Sequence, residues 1–254
     1  MLLTIDLGNT NLTIGLFDQA ELKAHWRLAT DHQRMPDEYG LQIHSLLQTC
    51  QCLDEQLDGI VLSSVVPQLT ERLEQACADH LGIDPLTVTA DLNLNISILY
   101  DDPYSVGADR IADAVAVQEF YGGPACVVDF GTATTFNALS SKGEYLGGAI
   151  LPGIGTAAEA LFTHAAKLPA IELKAPPSVI GSNTQHAMQA GLIYGYAAMV
   201  EGLVTRFREK LGKEMKVIAT GGHMSKITGQ TNVIDHIDPW LTLNGLRLIW
   251  NMNR

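Results

Sequence analysis

A short apolar strand ending in Asp-x-Gly occurs twice in this chain, half a chain apart. The first copy is Thr4-Ile5-Asp6-Leu7-Gly8-Asn9-Thr10 and the second is Val127-Val128-Asp129-Phe130-Gly131-Thr132-Ala133, with Asp129 lying 123 positions after Asp6 in a sequence of 254 residues. Each copy runs on into further strand-like stretches, Leu12–Phe17 and Leu22–Leu28 in one, Phe136–Leu139 and Tyr145–Leu151 in the other. A repeat at half length is the mark of a duplicated domain, with a cleft between the halves. The sequence therefore predicts an α/β chain of two βββαβα-type halves, 1–123 and 124–254.

The stretches between the repeats fit that plan. Apolar spacing predicts helices at Pro36–Leu47, Gln68–Leu81, Val106–Phe120, Thr156–Ala166 and Trp240–Met252, and a long one from about Ser182, its expected N-cap, to Lys210. Buried strands are expected at Gly59–Ser64 and Lys216–Ala219.

Composition narrows the function. The net charge is -12, with 16 Lys+Arg against 28 Asp+Glu and no basic stripe, which argues against nucleic-acid or anionic-membrane binding by bulk charge. The opening Met1 to Asp6 has no basic region and no apolar run approaches 18 residues, so the expected location is the cytoplasm. Cys50, Cys52, Cys77 and Cys126 form no C-x-x-C pair and are expected to be reduced and structural, and no H-E-x-x-H motif suggests zinc.

A lone Asp-x-Gly turn closes an ordinary hairpin. Two of them point further, because glycine lets the backbone approach a ligand, and successive N–H groups with Asn or Thr side chains cradle phosphate oxygens. Thr220-Gly221-Gly222 follows a strand and precedes a helix, where bare backbone either makes a tight turn or admits a flat adenosine. Gly107-Ala108-Asp109-Arg110 opens a helix, whose N-terminus attracts anions. There Asp109 either complements the helix dipole or orients a substrate hydroxyl, and Arg110 either pairs with an acid or binds a carboxylate bidentately.

Gly153-Ile154-Gly155-Thr156-Ala157-Ala158 fits the dinucleotide pattern G-x-G-x-x-A, with Glu172 at 19 residues beyond Gly153, but Pro152 and the shortness of Ala170–Leu173 speak against it. There is no P-loop. Along the long helix the small residues Ala187, Gly191, Gly195, Ala198 and Gly202 form a flat line, suited either to packing within the chain or to a dimer.

Taken in order, Asp6-Leu-Gly-Asn-Thr-Asn, Ser63-Ser-Val-Val-Pro67, Gly107-Ala-Asp-Arg110, Asp129-Phe-Gly-Thr-Ala-Thr-Thr135, Gly147-Gly148, Asn183-Thr184, Thr220-Gly-Gly222 and Leu241-Thr-Leu-x-Gly245 resemble the type III pantothenate kinases from residue 2 to about 250. The resemblance implies the duplicated actin-like ATPase fold, shared with acetate and sugar kinases and heat-shock protein 70. It also implies a homodimer that phosphorylates pantothenate with ATP, giving 4′-phosphopantothenate, the first step of coenzyme A synthesis. An alternative is a transcription accessory protein of the same fold without kinase activity. Carried over, Asp6, Leu7, Gly8, Asn9, Thr10, Asn11, Leu12 and Thr13 form the first phosphate loop, Thr132 belongs to the second, and Gly221 and Gly222 lie at the adenosine. Tyr100, Gly107, Ala108, Asp109 and Arg110 bind pantothenate, with Asp109 as proton acceptor and Thr184 reaching in from the partner subunit. Asp129 ligates K⁺ or NH₄⁺, and Mg²⁺ accompanies ATP. For such chemistry an unshifted aspartate, with pKa of about 3.9, would suffice.

Overall fold

The computed structural model describes residues 1–50 and 57–254. Cys52 lies outside them. In chain order the elements are β1 (Leu2–Leu7), β2 (Asn11–Asp18), β3 (Glu21–Ala29), α1 (Pro36–Thr49), β4 (Gly59–Ser64), α2 (Pro67–Leu81), β5 (Leu86–Thr87), β6 (Ser97–Ile98), α3 (Ala108–Phe120), β7 (Ala125–Phe130), β8 (Ala133–Leu139), β9 (Glu144–Pro152), α4 (Ile154–His164), α5 (Thr184–Leu211), β10 (Lys216–Thr220), α6 (Met224–Ile227), β11 (His236–Ile237) and α7 (Leu241–Asn253).

The repeat is a repeat of topology. One sheet runs β3-β2-β1-β4-β5 and the other β11-β10-β7-β8-β9-β6. In the first, β1, β2 and β3 form an antiparallel meander and β4 pairs parallel to β1. In the second, β7, β8 and β9 form the same meander and β10 pairs parallel to β7. Strands buried on both faces read as continuous apolar runs, as Leu2-Leu-Thr-Ile5 and Ala125-Cys-Val-Val128 do.

The chain gathers into two compact units, one of Met1–Asn95, Asp101–Ala116 and Leu241–Arg254, the other of Ile96–Tyr100 and Val117–Trp240. This differs from a division at residue 123 in three places: residues 117–123 and the segment of β6 gather with the second unit, and α7 with the first. Helix α7 packs on β1 and β4, where Trp250 fills the space a side chain at Gly59 would need, and β6 pairs with β9.

The first unit's core joins Leu3, Ile5, Leu12, Ile14, Ile60 and Leu62 of the sheet to Tyr39 and Ile43 of α1 and Leu69 and Leu73 of α2. Proline at N1 and Gly82 in the left-handed region (φ +69°) bound α2. The second unit's core sets Cys126, Val128, Phe130 and Phe136 against Ile193, Ala197, Val200 and Val204 of α5. Cys77 and Cys126 are buried free thiols, and burial pushes both up to about 12.

Helix starts shift by one or two residues from the sequence reading. Helix α3 begins at Ala108 rather than Val106, and α4 begins at Ile154 behind Gly153 as N-cap. The N-cap of α5 is Asn183, not Ser182, because the Asn183 side chain accepts from the His186 N–H at 2.9 Å. Strands β5, β6 and β11 are two residues each, too short to show a period.

Candidate active site

Asp6 sits near the end of β1, with Thr13 across from it on β2 and Ser63 across from it on β4. The turn that follows is tied down: the Gly8 N–H donates to the Asn11 carbonyl at 2.9 Å, and the Thr30 hydroxyl donates to the Gly8 carbonyl at 2.7 Å. Asn9, Thr10 and Asn11 are exposed there, whereas the Leu7 and Leu12 side chains lie in the core and only their backbone can meet a ligand.

The second copy repeats the arrangement. Asp129 on β7 lies between Thr135 of β8 and Thr220 of β10, so both aspartates are flanked by a hydroxyl on each side. The Gly131 N–H donates to the Ala133 carbonyl at 3.0 Å. Thr132 is exposed, and its carbonyl accepts from the Gly153 N–H at 2.9 Å and the Thr156 hydroxyl at 2.7 Å. A side chain at Gly153 would strike the Gly131 carbonyl at 2.3 Å, so this glycine serves the second Asp-x-Gly turn. No strand forms over 165–183, and the dinucleotide reading of Gly153 to Ala158 falls with it.

Gly221 adjoins Asp129. Its φ is +93°, and a Cβ there would lie 2.2 Å from the Asp129 carboxylate Oδ1 and 2.6 Å from the Phe130 nitrogen. Only glycine fits both the conformation and the space. Gly222 beside it is exposed. Among the described residues no group of three or more His, Cys, Asp or Glu side chains could hold a metal ion together. A half-buried single carboxylate with bare glycine backbone around it suits instead a hard cation of low charge bound by oxygens.

At the N-terminus of α3, Gly107 leaves room for Asp109, since a side chain would meet the carboxylate at 2.5 Å. The Arg110 N–H donates to Asp109 Oδ1 at 2.8 Å. Asp109 is half-buried and Arg110 buried. Burial raises the Asp109 carboxyl above its ordinary value, opposed by the Arg110 N–H and guanidinium, although an unshifted aspartate would already suffice for the chemistry. Val65, which approaches Gly107, donates its N–H to the Leu7 carbonyl at 3.1 Å, and so the first loop and the Asp109 segment are brought together in one unit.

Tyr100 belongs to the other unit, with its ring centroid 6.3 Å from that of Tyr145. Thr184, exposed at the first position of α5, borders an open groove of about 620 Å³ with Leu161, Leu168, Ala187 and Met188. The small-residue line of α5 is exposed throughout, and a Cβ at Gly191, Gly195 or Gly202 would touch nothing, so the line does not pack within the described chain. Ser63 and Thr156 stand in sequence motifs, and Asn137 and Tyr145 in expected strands, but sequence reasoning gives none of the four a site role.

The chain matches the type III pantothenate kinase family over residues 2–206. It is 52% identical to the type III pantothenate kinase of Moorella thermoacetica and 48% identical to that of Roseiflexus sp. strain RS-1, in each case over 254 residues and the whole of both proteins. Among solved structures it is similar to a Baf family transcriptional activator from Campylobacter jejuni (TM-score 0.60, 21% identity, 99% of this chain and 98% of that one). It is also similar to ethanolamine utilization protein EutJ from Carboxydothermus hydrogenoformans (TM-score 0.59, 15% identity, 97% and 89%). These structural likenesses speak for the fold alone, the duplicated α/β fold of the actin-like ATPases. The full-length identity and the match over most of the chain go further: the chain belongs to the type III pantothenate kinase family.

Proposed function

We propose that this chain transfers the γ-phosphoryl group of ATP to the primary hydroxyl of pantothenate, giving 4′-phosphopantothenate, the first step of coenzyme A synthesis. The observation that carries the reading is the Gly107-to-Arg110 segment: a half-buried carboxylate and a buried guanidinium at a helix N-terminus, in the same unit as the Asp6 loop. Phosphoryl transfer has a loose transition state, so positioning and charge neutralisation do most of the work. Asp109 aligns the pantothenate hydroxyl and accepts its proton, and burial makes it a stronger base than an ordinary aspartate. Arg110 holds the substrate carboxylate bidentately, and Tyr100, Gly107 and Ala108 shape the rest of the pocket.

Asp6 to Thr13 and Thr132 address the nucleotide phosphates, and Gly221 and Gly222 the adenosine. Asp129 holds K⁺ or NH₄⁺, with Gly221 leaving it the room, and Mg²⁺ arrives with ATP and neutralises phosphate charge. The exposed small-residue line of α5 is the homodimer face, bringing Thr184 of the partner subunit to the pantothenate pocket. The place of action is the cytoplasm, and among the described residues no helix is long and apolar enough to cross a membrane.

ADP release measured with and without pantothenate, in potassium and in sodium buffer at one ionic strength, tests this. Release should require pantothenate and be fast only in potassium. Release indifferent to pantothenate overturns the substrate, and equal rates in the two salts overturn the cation.

A further inference from the structure

One face of the second sheet carries polar side chains that the proposed reaction does not use. Thr135 stands across from Asp129, and side chains paired across antiparallel strands share a face. Asn137, two residues on, lies on that face too. On the opposite face Phe136 packs against Phe207 of α5, with 5.9 Å between centroids. The Tyr145 hydroxyl donates to Asn137 Oδ1 at 3.0 Å, and Asn137 Nδ2 donates to Thr135 Oγ1 at 3.0 Å. Tyr145 and Asn137 are each 1% exposed. Burying a tyrosine hydroxyl and an amide costs free energy unless both are paired, so a core sheet position holds them only where the pairing is made.

The line has a direction. Thr135 accepts from Asn137, so its own hydroxyl hydrogen is left to donate, and the residue facing it is Asp129, whose ionised carboxylate only accepts. A hydroxyl at that position can donate to the carboxylate and fix its orientation. At its other end the line reaches Tyr100. The Tyr145 ring packs tilted against the Tyr100 ring, and Gly147, at φ +102°, leaves the space that ring occupies, since a Cβ would lie 2.9 Å from it.

We propose that Tyr145 is a positioning residue at both ends of this line: its ring seats Tyr100 for pantothenate, and its hydroxyl, through Asn137, turns the Thr135 hydroxyl toward Asp129 and the monovalent cation. The proposal rests on the reading of Tyr100 as a pantothenate contact and Asp129 as the cation ligand.

The test separates the ring from the hydroxyl and uses binding rather than turnover. Melting temperature is followed as K⁺ replaces Na⁺ at constant total salt, and pantothenate affinity is taken by calorimetry. Tyr145→Phe keeps the ring, so pantothenate affinity should stay within about twofold, while the K⁺ midpoint should rise about fivefold, the worth of one hydrogen bond. Tyr145→Leu should weaken pantothenate about tenfold, the upper worth of an aromatic pair.

Tyr145→Phe also strands the Asn137 amide and should lower the melting temperature. Combining it with Asn137→Leu removes both partners and should restore stability, while the K⁺ midpoint stays raised. If the double variant recovers both, the line is structural only and the proposal fails. It fails alone if Tyr145→Phe has the wild-type midpoint while Asp129→Asn has lost the K⁺ response. An unchanged response in Asp129→Asn removes the cation reading and the proposal together.

Discussion

Replacing Asp109 by asparagine keeps the shape of the side chain and an acceptor for the Arg110 N–H, 2.8 Å away, while removing the proton acceptor. Loss of a general base costs about 10² to 10⁴ in rate, or about 2.7 to 5.4 kcal/mol of barrier. Stability should move the other way. Burial raises the Asp109 pKa, so ionising it in the folded chain is unfavourable. Below the ordinary carboxylate pKa of about 3.9 the side chain is neutral whether folded or not, and its favourable contribution is fully present. As pH rises through the raised folded value that contribution is lost in the wild type, and an asparagine has nothing to lose. The melting temperature of Asp109→Asn minus that of the wild type should therefore grow from acid to neutral pH and level off, in a series of melts on both proteins. The same shift places the acid limb of the wild-type kcat/KM profile above the ordinary carboxylate range. Near-normal turnover of the variant would remove Asp109 from the chemistry, and a variant that grows less stable than wild type with rising pH would refute the burial argument.

Two further outcomes are expected, the first from the geometry and the second from the proposed homodimer. Gly221→Ala forces a left-handed residue, worth roughly 1–2 kcal/mol, and pushes on the Asp129 carboxylate, so melting should fall by at least about 4 °C and the potassium response should vanish; a wild-type melt would contradict the close approach. Asp109→Asn and Thr184→Arg chains, each inactive alone, should recover roughly a quarter of wild-type activity when co-refolded, because about half the dimers are mixed and each has one intact site; no recovery from verified heterodimers would place the pocket within one subunit.

The duplication could be read because its signal is local: two apolar runs, each ending in Asp-x-Gly. What escaped reading depends on partners distant in sequence. Nothing near Asp109 announces a raised pKa, since the burial comes from how the folded chain packs around the start of α3. The Tyr145–Asn137–Thr135 line needs the β8–β9 register, which a bulge between Ala138 and Leu139 shifts. Helix α7 packs on the first sheet and, at Gly245, against α3, where a Cβ would sit 2.0 Å from the Ala112 carbonyl, a contact across more than half the chain. The small-residue line of α5 has two readings from spacing alone, and its exposure shows that it does not pack against the described residues of this chain.

The two copies also part company where sequence similarity is blind. Ser63 and Thr220 occupy the same place beside their aspartates, but the residue after each differs. Ser64 turns its hydroxyl to the start of α2, accepting from the Val66 N–H at 3.2 Å and pairing with Thr70 at 2.7 Å. Gly221 has no side chain to give its helix, and a side chain there would occupy the space at the Asp129 carboxylate. One copy thus uses the position to anchor a helix and the other to keep a carboxylate open on one side. Thr135, which faces that carboxylate on another side, stands at the end of a buried hydrogen-bonded line through Asn137 to Tyr145.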